Sequence, residues 1–290
     1  METRILSATK EVIIADDQPT VLIGERINPA GKKKLVEALR TSNLELVRQE
    51  ALAQVDAGAD VLDICVSTFG VDEVALLPQA VETVMEVVEV PLCLDSANPQ
   101  ALEAALKVYQ GKPLINSVTG EEQSLARVLP LVREYGGAVI GLTQDDQGIP
   151  KDVERRVAIA HRIVERAVAV GIPREDVVID CLTLAVGVEP QAAPVILEAC
   201  RRVKAELGVN LVLAISNVSF GLPERGWLNN AFAALAIASG VNCLIGDVAK
   251  MRPAVLAADL LLDKDKHARR YIAEYRRRQR SQLEKQTESQ

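Results

Sequence analysis

The chain has 290 residues, 49% of them hydrophobic and 25% charged, with 13 Pro and 17 Gly spread along it, an ordinary globular composition with ample material for a large core. No charge-free apolar run approaches the ~18 residues of a membrane helix, and the opening METRILSATKEVII lacks the apolar centre and small-residue cleavage site of a secretory signal, so a cytoplasmic protein without membrane association is expected. The net charge of −7 is uneven: residues 264–280 hold eight Lys/Arg against Asp265 and Glu274, leaving an acidic body, and with only eight aromatic residues in the whole chain this gives little support for a nucleic-acid groove.

In chain order, Val12–Ala15, the turn-like Asp16-Asp17-Gln18-Pro19 and Val21–Ile23 suggest a hairpin, with residues 10–20 pairing with the start of the first barrel strand and plugging the floor. Short apolar runs then alternate with segments of helical period. The expected strands are Val21–Ile27, Val61–Val66, Pro91–Ser96, Pro113–Val118, Ala138–Thr143, Val177–Cys181, Val209–Val218 and Cys243–Val248. Between them apolar residues recur every three or four positions, as in Leu44, Val47, Ala51, Val55 and in Val153, Val157, Ala160, Val164, Ala167. Breakers such as Gly58, Gly136-Gly137 and Gly171-Ile172-Pro173 fall where a helix must turn into a strand. Residues 263–290 read as a basic C-terminal helix or tail.

Eight strands alternating with helices fit an open doubly wound sheet or a closed barrel. Nearly every strand ends in a polar residue: Glu25 and Asn28, Asp63, Asp95, Asn116, Thr143, Asp180, Asn217, Asp247. A barrel mouth gathers all such ends around one site, whereas an open sheet concentrates its ligand at a switch point. The expectation is therefore an α/β chain forming a single (β/α)8 TIM barrel over residues 21–262, with residues 1–20 as its N-terminal hairpin.

Candidate chemistry narrows by elimination. The two histidines, His161 and His267, fall in helical segments, which leaves no Ser-His-Asp or Cys-His scheme. The five cysteines include no close pair, so neither a zinc ribbon nor a disulfide framework is indicated, and no metal is expected. Cys65 and Cys93, spaced evenly from Asp63 and Asp95, should point inward with them, as should Cys243; they read as small apolar filler. What remains is a set of carboxylates and carboxamides, Asp63, Asp95, Asn116, Asp180 and Asn217. Such a set could bind a divalent metal, act as acid and base, or accept hydrogen bonds from a donor-rich ring. The last use suits alternating Asp and Asn, because a pterin- or guanine-like ring shows an amino group and an N–H beside a carbonyl. Phosphate-cradling glycine motifs are absent from the sequence.

Several strings carry a closer resemblance. They are Ile23-Gly24-Glu25-Arg26-Ile27-Asn28, Leu92-Cys93-Leu94-Asp95-Ser96, Leu114-Ile115-Asn116-Ser117, Ile140-Gly141-Leu142-Thr143 with Gly148-Ile149-Pro150-Lys151-Asp152, and Ile215-Ser216-Asn217-Val218-Ser219. Together they resemble the pterin-binding methyltransferases, which include corrinoid-dependent methyltetrahydrofolate methyltransferases and the folate domain of cobalamin-dependent methionine synthase. The resemblance implies that Asp95, Ser96, Asn116, Asp180, Ser216, Asn217 and Arg225 bind the pterin, with Asn217 hydrogen-bonding N5 as the catalytic residue. It also implies tetrahydrofolate or methyltetrahydrofolate as substrate, a corrinoid-binding protein as partner, a homodimer and a place in one-carbon metabolism. Ser219-Phe220-Gly221-Leu222-Pro223 looks closer to the methionine synthase branch. One departure is Cys65, standing where the family commonly has Asn. The alternatives are a dihydropteroate synthase-like enzyme, whose phosphate-loop Lys and Ser-x-Arg patterns are missing here, and a non-catalytic folate-binding subunit.

Overall fold

The structure is a computed structural model that describes residues 1–288, with side chains to residue 280. The chain opens with β1 (Thr3–Leu6) and β2 (Glu11–Ile14), followed by β3 (Val21–Ile27), α1 (Lys33–Arg40) and α2 (Glu45–Asp56). Strands and helices then alternate: β4 (Val61–Ile64), α3 (Glu73–Met85), β5 (Leu92–Asp95), α4 (Pro99–Val108), β6 (Leu114–Thr119) and α5 (Glu122–Tyr135). The second half holds β7 (Ala138–Leu142), α6 (Val153–Ala169), β8 (Val177–Asp180), α7 (Ala192–Leu207), β9 (Asn210–Ala214) and α8 (Arg225–Ala238). Last come β10 (Cys243–Gly246), α9 (Val248–Leu261) and α10 (Arg269–Glu288).

Strands β3 to β10 close into a parallel barrel in the order β10-β3-β4-β5-β6-β7-β8-β9. Alternation along each strand splits the apolar residues into two cores. Val21, Ile23, Val61, Leu114, Val178 and Val212 fill the barrel interior, whereas Leu22, Leu62, Leu92, Ile179 and Leu213 pack outward under the helices. Cys93 and Cys243 belong to the inner set, as their spacing requires. Local chemistry fixes the helix ends. Asp72, Asn98 and Asp152 accept the backbone N–H of Ala75, Gln100 and Arg155 at the starts of α3, α4 and α6. Gly136 closes α5 in the left-handed region, at φ 67°.

Two expectations need correction. The hairpin exists, but its partner strand is β1: Thr3–Leu6 pairs antiparallel with Glu11–Ile14, and Val12–Ala15 does not pair with Val21–Ile23. The start of β3 is instead taken by β10 within the barrel, which leaves no free edge there. The hairpin still closes the floor, for Ile5, Val12 and Ile14 pack against the inner core and Leu6 pairs with Lys112. The expected seventh strand is also too long. The chain leaves the sheet after Ala214 and winds through a 3-10 turn, Ile215–Ser219.

The basic C-terminal segment includes α10, which is anchored rather than free over its first turns. Glu274 is buried and accepts from Arg252 of α9 and from Arg277 and Arg278 on its own helix. These cations hold its carboxyl at about 2 despite the opposing cost of burial. Among the described residues, no helix is long and apolar enough to cross a membrane.

Because Ile5 and Ile14 are fully buried beneath the barrel, Ile5→Ala or Ile14→Ala should destabilise the whole chain by about 2–5 kcal/mol in urea unfolding. A loss under about 0.5 kcal/mol would mean that the floor is not part of the cooperative core.

Candidate functional site

A barrel presents the C-terminal ends of its strands at one mouth. Asp95 ends β5, Asp180 ends β8, and Asp63 stands one residue before the end of β4. Asn116 lies in β6, in register with Asp95. Asp63 and Asp180 are buried, and Asp95 and Asn116 are half-buried. The Asn116 Nδ2 donates to Asp63 Oδ1 at 3.2 Å, while the Cys93 and Cys65 thiols donate to Asp63 and Asp95. The Leu182 N–H donates to Asp180 Oδ1 at 2.6 Å.

These carboxyls are short of positive charge. Burial, reinforced by the charge of Asp95, pushes Asp63 well above the ordinary carboxylate range. Burial, with the charge of Glu73 added, outweighs the Cys65 thiol at Asp95 and carries that group up to about 6. Asp180 is raised to about 7, again by burial, against the Leu182 amide and the charge of Arg156. Glu25, two residues before the end of β3, is raised in the same way although Ser216 Oγ donates to it at 3.2 Å. Near neutral pH Asp95 and Asp180 thus stand close to their titration points, and a ligand bringing N–H donors would stabilise the ionised forms. Among the described residues no group of three or more His, Cys, Asp or Glu is placed to hold a metal ion.

The other predicted site residues occupy distinct places. Ser96 is buried at the foot of α4, where its Oγ donates to Glu73 at 2.6 Å and accepts from the Asn98 N–H. Ser216 and Asn217 sit in the 3-10 turn after β9, with Asn217 exposed on the rim. Arg225 begins α8 and braces that turn, donating to the Ser216 carbonyl at 2.7 Å and to Ser219 Oγ at 3.0 Å. Asp95, Ser96 and Asn116 line one cavity of about 300 Å³ that extends to Arg127 on α5. Glu25 was named only as a strand-end group, yet it reaches the mouth and accepts from Ser216 Oγ. The signal for Glu25 is its inward position in β3, two residues beyond the inner-core Ile23.

The profile described as pterin binding enzyme matches residues 24–247.

The chain belongs to the pterin-binding enzyme family.

It is 30% identical over 266 residues to a methylcorrinoid:tetrahydrofolate methyltransferase of Eubacterium limosum, covering 88% of this chain and 96% of that one. A methionine synthase of Mycobacterium leprae is 31% identical over 265 residues, which make up 87% of this chain but 22% of the synthase. Among solved structures, a Yersinia pestis DHPS with a pterine-sulfa conjugate superposes with a TM-score of 0.69 at 18% identity, covering 89% of this chain and 98% of that chain. At that identity the likeness establishes the shared fold alone.

The charge of the mouth has a measurable consequence. Folding raises the Asp63 pKa, so its contribution favours the folded chain at low pH and is lost as pH climbs towards the raised value. Asp63→Asn should therefore stabilise the ligand-free protein at pH 8 by about 1.4 kcal/mol for each unit that folding raises the pKa, read as a higher melting temperature. The gain should shrink steadily towards pH 4. A variant less stable than wild type at both pH values would rule out this electrostatic account.

Proposed function

We propose that this pterin-binding enzyme moves a methyl group between N5 of methyltetrahydrofolate and the cobalt of a corrinoid carried by another protein. The observation that carries the reading is the near full-length likeness to a methylcorrinoid:tetrahydrofolate methyltransferase, together with a mouth built of carboxyl and carboxamide groups. Asp95, Asp180 and Asn116 suit the amino, N–H and carbonyl edge of a pterin, since carboxylate accepts and carboxamide does both. Ser96 and Ser216 fit this site as positioning groups, each hydrogen-bonded to a carboxylate beside it.

The chemistry asks little of the protein in covalent terms. A methyl leaves a tertiary amine with difficulty unless the nitrogen is protonated or hydrogen-bonded, because the bonding pair stays on nitrogen. The two electrons for the new carbon–cobalt bond come from the reduced cobalt of the partner, and a proton ends on N5. In the reverse direction N5 attacks the methyl and that proton is released. Asn217 does not titrate, but its amide can hydrogen-bond N5 as charge changes there. Its exposed position on the rim suits contact with the part of the pterin that a large partner must reach. Arg225 would act through the backbone of the turn that carries Asn217.

The test separates binding from activation. Asn217→Ala should bind methyltetrahydrofolate within about tenfold of wild type, yet transfer methyl to cob(I)alamin on the order of 10²–10³ more slowly. Asp95→Ala should show the opposite balance, weakening binding by about ten- to a hundredfold through loss of a charge-assisted hydrogen bond. Equal losses of affinity and rate in Asn217→Ala would remove it from the mechanism. Wild-type protein that neither binds methyltetrahydrofolate nor transfers its methyl would sink the reading as a whole.

The same reading includes a homodimer and a cytoplasmic role in one-carbon metabolism. Five free cysteines suit a reducing compartment. Helix α8 has no charged residue from Gly226 to Ala238, and it exposes Trp227, Leu228 and Leu235, an apolar stripe of the kind that a second copy covers. Leu235→Glu should convert a dimer to monomer in sedimentation at micromolar concentration; a monomeric wild type would exclude the dimer.

A further inference from the structure

Among the described residues Arg156 is the largest fully buried side chain, and the proposed chemistry leaves it unused. It lies in the first turn of α6, on the stripe that faces the barrel with Val157 and Ala160. Its Nη1 donates to two consecutive backbone carbonyls, those of Cys181 and Leu182, the latter at 2.8 Å. Its Nε and Nη2 meet no hydrogen-bond partner among the described residues. Burying a guanidinium with two nitrogens unpaired is costly. A cheaper way to hold a loop would use a neutral side chain.

The segment it holds explains the expense. Leu182 has φ 58°, in the left-handed region that a residue with a Cβ adopts at a cost. The Leu182 N–H, in the peptide unit just before that turn, donates to Asp180 Oδ1. The guanidinium therefore clamps the two carbonyls that flank the amide orienting Asp180. Asp180 and Arg156 also attract each other across the turn without forming an ion pair. The other titratable groups facing Asp180 are the thiols of Cys200 on α7, held neutral by its hydrogen bond with Cys181 and by burial, and of Cys243 on β10, held neutral by burial.

We infer that Arg156 is a positioning residue for Asp180: from behind the mouth it locks the Cys181–Leu182 turn and supplies the positive charge that keeps Asp180 available as an acceptor. The inference deepens the pterin-binding reading and rests on it for the identity of the ligand. Two effects are combined, one geometric and one electrostatic, and they separate by substitution. Arg156→Lys keeps the charge but not the planar fork, whereas Arg156→Met keeps neither.

Asp180 titrates near 7 in the intact protein, so methyltetrahydrofolate affinity should rise with pH through that region as the carboxylate forms. In Arg156→Met the midpoint of this rise should move up by about one pH unit, with affinity at pH 7 falling by about tenfold. Turnover at saturating methyltetrahydrofolate should change by less than about threefold, since the residue does not touch the reacting atoms. Arg156→Lys should restore the midpoint while recovering only part of the affinity. A merely structural arginine would lower the melting temperature of both variants and leave the midpoint where it is, and that result would overturn the inference. Should Arg156→Met fail to melt cooperatively, Arg156→Gln, uncharged but still a donor to the turn, carries the same comparison. The electrostatic part has a readout that needs no substrate. The pH dependence of melting temperature that disappears in Asp180→Asn should shift upward when Arg156 is replaced in the ligand-free chain. That shift, found in a protein that binds no methyltetrahydrofolate, would sustain the charge coupling while discarding the ligand. An unshifted profile in a protein that does bind it would discard the coupling.

Discussion

Carboxyl groups held out of water with too little positive charge around them are the condition to which the mouth of this barrel is built. Asp63, Asp95, Asp180 and Glu25 are all raised by burial. The protein tolerates this because amides, thiols and hydroxyls supply neutral donors in place of cations. Neutral donors leave each carboxyl with acceptor capacity to spare, where a bidentate arginine would have used it up. A donor-rich ring entering such a mouth finds acceptors already oriented and poorly satisfied. Affinity then comes from completing interactions that the empty protein lacks, and the stability lost to buried charge is the cost of that readiness.

How much of this is legible in the sequence depends on the length scale of each feature. The barrel and its inward carboxyls follow from a period of two and a count of eight, both local properties. Asp95 and Asp180 accordingly end their strands in the structure as in the sequence, whereas Asn116 lies within β6, which runs on to Thr119. The fate of Asn217 is harder to foresee, because an apolar run through Ile215 has the same pattern whether it stays in the sheet or winds into a 3-10 turn. The hairpin partner is ambiguous for a related reason: Thr3–Leu6 and Val21–Ile23 are both short apolar strands near Val12–Ala15. Barrel closure decides between them by giving the edge of β3 to β10, and closure is a property of the whole chain. Arg156 left a trace that pattern reading could use, an arginine on a helical stripe whose other members are apolar. Its purpose, however, depends on a backbone angle at Leu182 that composition does not reveal.

The outer ring shows how unevenly charge is used. Glu274 gathers three arginines and ties the C-terminal helix to α9, while α8 presents no charge at all beyond its first residue. One flank of the barrel is thus locked by multiple ion pairs and another is left apolar. Surface ion pairs contribute little singly, but several converging on one buried carboxylate share a single ordering cost.

The plugged floor sets an order of events. With Ile5, Val12 and Ile14 packed beneath the inner core, the mouth serves as both entrance and exit for whatever the carboxyls hold. A macromolecule seated on the rim to reach that ligand would act as a stopper. Under the proposed chemistry the small molecule must then arrive before the large one and depart after it, a compulsory sequence imposed by a two-stranded ribbon at the opposite end of the barrel.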